Sequence, residues 1–128
     1  MSEPNKARVI GYWVATALVA FAMGAGGLAD LSGQPQVVEG FAHLGYPAYF
    51  ATILGVWKVG GAIALLVPRM PLLKEWAYAG IVFDLTGASA SHASVGDPAA
   101  DVIVPFVVLA LAVASWMLRP ASRRLTAS

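Results

Sequence analysis

No cysteine occurs among the 128 residues, which removes dithiol exchange, iron–sulfur ligation and thiolate-bound zinc, because each needs a sulfur ligand or nucleophile. Any redox role must therefore borrow its cofactor. Charge is the second scarcity: Asp, Glu, Lys and Arg supply 12% of the chain, against roughly 25% in a soluble domain. The basic residues are also segregated. Lys6, Arg8, Arg69, Lys74, Arg119, Arg123 and Arg124 flank apolar runs, and Lys58 alone lies inside one. No basic stripe interleaved with aromatics exists outside these flanks, so no nucleic-acid partner is expected. Nucleophilic triads, phosphate loops and cofactor fingerprints are missing as well, which argues against autonomous catalysis.

What is present is apolar surface. The chain is 59% hydrophobic with a mean hydropathy of +0.72, well above the roughly 45–50% apolar content of soluble domains, and its natural partner is a lipid bilayer. Four runs are expected to be membrane-spanning helices of one domain, at about 9–29, 47–67, 73–94 and 102–118, forming an all-α, antiparallel four-helix transmembrane bundle. The first run exceeds the roughly 7–15 apolar residues of a secretory signal and reads as a retained span, with Gly24, Gly26 and Gly27 making its far end either frayed or closely packed. Residues 30–46 carry Asp30, Glu39 and His43 and read as a loop with one short surface helix at Pro35–His43. The turn at 68–75 holds Pro68 and Pro71 and makes the second and third spans neighbours. Pro105 falls in the first turn of the fourth span, and residues 119–128 read as a basic, mobile tail.

Lys and Arg occupy the leader, the 68–75 turn and the tail, and none occupies 30–46 or 95–101. Both termini are therefore expected in the cytoplasm.

Two charges stand inside the apolar runs. Lys58 lies ten positions before Pro68 and Asp84 ten after Lys74, so helical rise places each about 15 Å from the shared turn. Gly55, Lys58 and Ala62 share one helix face, and Gly80, Asp84, Gly87 and Ser91 share another. The expectation is a buried Lys58–Asp84 pair between those faces, either fixing register or serving a ligand. His92, two turns past Asp84, and His43 on the loop extend this to a candidate proton path through Lys58, Asp84, His92, His43 and Ser91. No metal site is expected, because no i, i+4 histidine pair or comparable spacing is present.

The stretches LGYPAYF, LGVWKVGGAIALLVPR, LKEWAYAGIVFDLTGASASH and GD resemble the DoxX-like family of small four-span bacterial membrane proteins, over about Gly11 to Pro120. The most specific parts are Leu44–Pro47, Lys58 with Gly60 and Gly61, Pro68–Arg69, Leu73–Gly80 and Ser91–His92. The resemblance implies a bacterial cytoplasmic (inner) membrane protein. It also implies a link to redox chemistry, since the family resembles a subunit of an archaeal thiosulfate:quinone oxidoreductase and a mycobacterial relative is associated with oxidative-stress defence. On that implication the protein is a quinone-associated accessory subunit with a redox partner protein. Two alternatives stay open: a proton-coupled carrier or binder, which at this size would need a homo-oligomer for alternating access, and a non-catalytic assembly protein.

Overall fold

The computed structural model describes residues 5–125. Among them are five α-helices and no strand: α1 (Lys6–Leu31), α2 (Pro35–His43), α3 (Ala48–Leu66), α4 (Pro71–Ser94) and α5 (Ala99–Met117), followed by a 3₁₀ turn at Ala121–Arg123. α1, α3 and α5 are long and apolar enough to cross a membrane. α4 is the longest after α1, at 24 residues, but it carries Lys74, Glu75, Asp84 and His92 along its length. The short helix expected at Pro35–His43 is present with those bounds.

The buried positions of α1 are Tyr12, Ala15, Thr16, Val19, Ala20, Met23, Gly27 and Asp30, a repeat of threes and fours that lays one stripe along the helix. That stripe faces α3 on one side and α5 on the other, while α4 packs on α3 and α5. Val19, Met23, Leu65, Tyr78, Ile81 and Leu85 meet in the core. A polar seam crosses it: the Ser115 hydroxyl lies 2.6 Å from Thr16 and 2.7 Å from the Tyr78 hydroxyl, joining α1, α5 and α4. Large apolar side chains on the outer faces stay uncovered, with Phe21, Trp57 and Phe83 each about three-quarters exposed. Such a surface suits a hydrocarbon solvent.

Of the two expectations for the glycine-rich end of α1, frayed or closely packed, the second holds. A Cβ on Gly27 would come within 2.9 Å of the Gly55 carbonyl oxygen, and one on Gly55 within 2.8 Å of the Gly27 oxygen and 2.6 Å of Leu31. The two backbones touch, as helices do where small residues face each other. This corrects the expected packing: the Gly55 face of α3 meets α1, whereas Gly80 and Gly87 of α4 have no neighbour within 4 Å of an added Cβ.

Two further expectations change. α5 begins at Ala99, so Pro105 sits inside the helix rather than in its first turn, removing one backbone donor there. The tail to residue 125 is docked, not loose. Arg123 is 7% exposed and donates to the carbonyl oxygens of Leu65 (2.7 Å) and Leu66 (3.4 Å) and to Tyr12 Oη (3.3 Å), with its guanidinium over the Trp13 ring. Lys74 is fully buried and donates to the carbonyls of Val67 and Arg69. Both cations thus cap the carbonyl end of α3, where the helix dipole favours positive charge and the chain turns through Arg69 and Met70 at positive φ. Arg8 does the same for α5 through the Met117 carbonyl at 2.8 Å.

Gly55→Ala should lower stability by about 1–3 kcal/mol, because the added methyl is driven into backbone. Gly87→Ala, pointing into open space, should leave it unchanged or raise it slightly. Thermal unfolding of the two variants in one detergent checks this contrast.

Candidate functional site

The close contact of α1 and α3 decides where Lys58 finds its counter-charge. One turn beyond Gly27 on the same stripe stands Asp30, and one turn beyond Gly55 stands Lys58. The Lys58 ammonium lies 2.9 Å from Asp30 Oδ2, with the two side chains 20% and 10% exposed. The expected Lys58–Asp84 ion pair is therefore corrected to Lys58–Asp30. Sequence reading placed Asp30 in a loop, but α1 continues to Leu31 and carries it into the helix packing.

Asp84 is not displaced far. It lines, together with Lys58, a cavity of about 530 Å³ between α3 and α4. The interior wall includes Met23 and Ile81, Gly60, Gly61 and Gly80 leave the walls open, and Trp57, Trp76 and Phe83 also line it. Those three aromatic side chains are 74%, 67% and 75% exposed, so the mouth opens on the outer, apolar face of the helices. From the two charges the lining runs along α4 to Leu73, toward the turn between α3 and α4. It does not run toward His92.

His43, His92 and Ser91 gather instead at the opposite end. α2 and α4 both finish in the same C-terminal motif. Gly45 and Gly96 take positive φ, the N–H groups of Gly45 and Tyr46 bond the carbonyls of Ala42 and Phe41, and those of Gly96 and Asp97 bond Ala93 and His92. The second motif lays Asp97 over His92. Asp97 Oδ2 is 2.6 Å from His92 Nδ1, its Oδ1 is 2.5 Å from His43 Nε2, and Tyr46 Oη is 2.7 Å from Ser91 Oγ. The hydrogen bonds from His92 and then His43 hold the Asp97 carboxyl below the usual carboxylate range. One carboxylate therefore joins α2 to the end of α4.

The five residues singled out in the sequence thus divide into two sites. Lys58 and Asp84 belong to the apolar cavity, and His43, His92 and Ser91 to the polar cluster at the α2 end. Sequence reading missed Asp30, Tyr46, Asp97 and Asp101. Asp30 was reachable by continuing the three-and-four repeat of α1 past Ala29, whereas Asp97 depends on a turn geometry that spacing does not reveal.

In a double-mutant cycle on unfolding stability, Asp30→Asn with Lys58→Met should show a coupling of about 1–3 kcal/mol, and Asp84→Asn with Lys58→Met a clearly smaller one. Asp30→Asn alone should be the more damaging of the two Asp replacements, because it strands a partly buried ammonium.

Comparison with known proteins agrees with this architecture. The sequence profile described as the DoxX-like family matches residues 14–115, a stretch that holds every residue of the cavity and of the polar cluster. The uncharacterized protein YdgD of Bacillus subtilis (strain 168) is 29% identical over 96 residues, covering 73% of this chain and 82% of that protein. No solved structure matches. A profile that spans the chain from the first turns of α1 to the last turn of α5 leaves little outside it, and the protein is a member of the DoxX-like family of membrane proteins.

Proposed function

We propose that this protein is a four-span membrane protein that holds a lipid-soluble molecule with a polar head, of the quinone class, in the cavity between α3 and α4, and that it serves a redox partner protein as an accessory subunit. The observation that carries the reading is the cavity itself: about 530 Å³, within the roughly 300–1,000 Å³ of small-molecule sites, with an aromatic mouth on the apolar face and two ionisable groups inside. A ligand dissolved in the bilayer enters from the side without crossing water. In that cavity Trp57, Trp76, Phe83 and Ile81 would receive its ring and tail, and Lys58 and Asp84 its polar head.

The chemistry asks little more of the chain. A quinone carbonyl accepts a hydrogen bond, which the Lys58 ammonium supplies, and reduction consumes protons, for which Asp84 is the carboxyl group in reach. Asp30 orients Lys58 from the α1 side. Electrons come from the partner, since no residue here carries them. The choice of a quinone within this ligand class rests on the family resemblance.

The fourth span in this reading is α4, and the bundle is antiparallel. Supporting it, α4 packs between α3 and α5 and turns Lys74 and Ser89 inward, where both are buried. At about 1.5 Å per residue its 24 residues reach about 36 Å, enough for the hydrocarbon layer. An even number of spans also returns both basic ends to one side, the cytoplasmic face of the inner membrane.

Equilibrium dialysis of a short-chain quinone against purified protein in detergent tests the site. Wild type should bind at about one per chain. Gly80→Leu, which fills the cavity where an added side chain meets no neighbour, should weaken binding about tenfold or more while unfolding at the wild-type temperature. Equal binding by the two proteins, or none by either, defeats the proposal.

A further inference from the structure

The polar cluster at the α2 end plays no part in the cavity, yet it draws side chains from four separate places. His43 ends α2, His92 lies in the last turn of α4, Asp97 follows in the connection, and Asp101 stands in the first turn of α5. One donor atom each from His92, Asp97 and Asp101 lies within 4.8 Å of the other two. His43 Nε2 is 2.5 Å from the same Asp97 carboxylate. We propose that His92, Asp97 and Asp101, with His43 as fourth donor, form a binding site for a divalent transition-metal ion of the zinc class.

The donor set selects the ion. Carboxylates alone would suit calcium or magnesium, but two imidazoles beside two carboxylates suit zinc and its neighbours, which take nitrogen and oxygen ligands in four-coordinate sites. In a tetrahedral site, donors about 2.0–2.2 Å from the ion lie about 3.3–3.6 Å apart. The spread of up to 4.8 Å among His92, Asp97 and Asp101 therefore closes by about 1 Å of side-chain rotation, and the exposed His43 ring, now on Asp97, turns in with them. The backbone that sets this spread is held by the C-terminal motif of α4, whose Gly96 turn brings Asp97 back over His92 with its N–H 3.0 Å from the His92 carbonyl oxygen. Sequence spacing concealed the site because His43 and His92 lie on different helices, one on α2 and one on α4.

An ion here would clip α2 to the junction of α4 and α5, replacing the two Asp97–histidine hydrogen bonds by coordination. The competing arrangement is a self-sufficient hydrogen-bonded His–Asp–His group that takes no ion.

Cobalt(II) titration of the chelator-treated full chain in detergent separates the two. The site predicts visible absorption of four- or five-coordinate cobalt saturating at about one ion per chain and displaced by zinc. His92→Gln and Asp97→Asn should each weaken binding about tenfold or more, and Ser94→Ala should not. His43→Ala covers the case in which those variants fail to fold, since the His43 side chain is 56% exposed, and it too should weaken cobalt binding by about tenfold. No saturable cobalt spectrum in the wild type, or one that survives His43→Ala unchanged, overturns the assignment.

Discussion

The backbone contact between Gly27 and Gly55 governs the arrangement of the molecule. With no side chain at either position the two helices approach until carbonyl oxygens limit them, and that proximity brings the long Lys58 side chain of α3 within ion-pair distance of Asp30 on α1. In a nonpolar solvent the hydrophobic effect does little to hold helices together, so packing and internal polar bonds must supply the association. Close glycines provide the first, and the Asp30–Lys58 pair and the Thr16–Ser115–Tyr78 seam provide the second.

The same contact explains why there is room elsewhere. α3 is committed to α1 through its Gly55 face, so its other side meets α4 more loosely, and Gly60, Gly61 and Gly80 leave space unfilled. The cavity inherits both ionisable groups because Lys58 lies between the two faces, bonded to one neighbour and exposed to the other. At the far end a different logic applies. There the chain leaves the apolar layer, and two glycine-terminated helices turn so that one aspartate engages two histidines. At the near end Lys74, Arg123 and Arg8 close the carbonyl ends of α3 and α5, so the basic flanks also finish the helices.

Most of the helices were legible from apolar run length and proline placement, and α2 was legible from Pro35 and the composition around it. The helix partners were not. Equal distances of Lys58 and Asp84 from the Pro68–Pro71 turn suggested a pair, and both do line one cavity, but depth alone does not fix azimuth, and azimuth was decided by which small-residue face found another. At Gly27 the sequence left two outcomes open, a frayed end, because glycine lowers helix propensity in water, or a closely packed one. In a tightly packed pair its missing side chain is what admits the partner. The tail misled for a related reason: Arg123 looked solvated by composition, while the open carbonyls of α3, invisible in sequence, gave it a buried seat.

The central claim is that the space beside Lys58 and Asp84 is occupied in the membrane by a lipid-soluble molecule with a polar head. Mass spectrometry of organic extracts from gently purified wild type and Gly80→Leu tests it most directly, with each extract normalised to protein. The account predicts a quinone-class compound retained at close to one per chain by the wild type and lost from the variant. A wild-type extract holding only bulk phospholipid, or the same retained compound at the same level in both proteins, would contradict it.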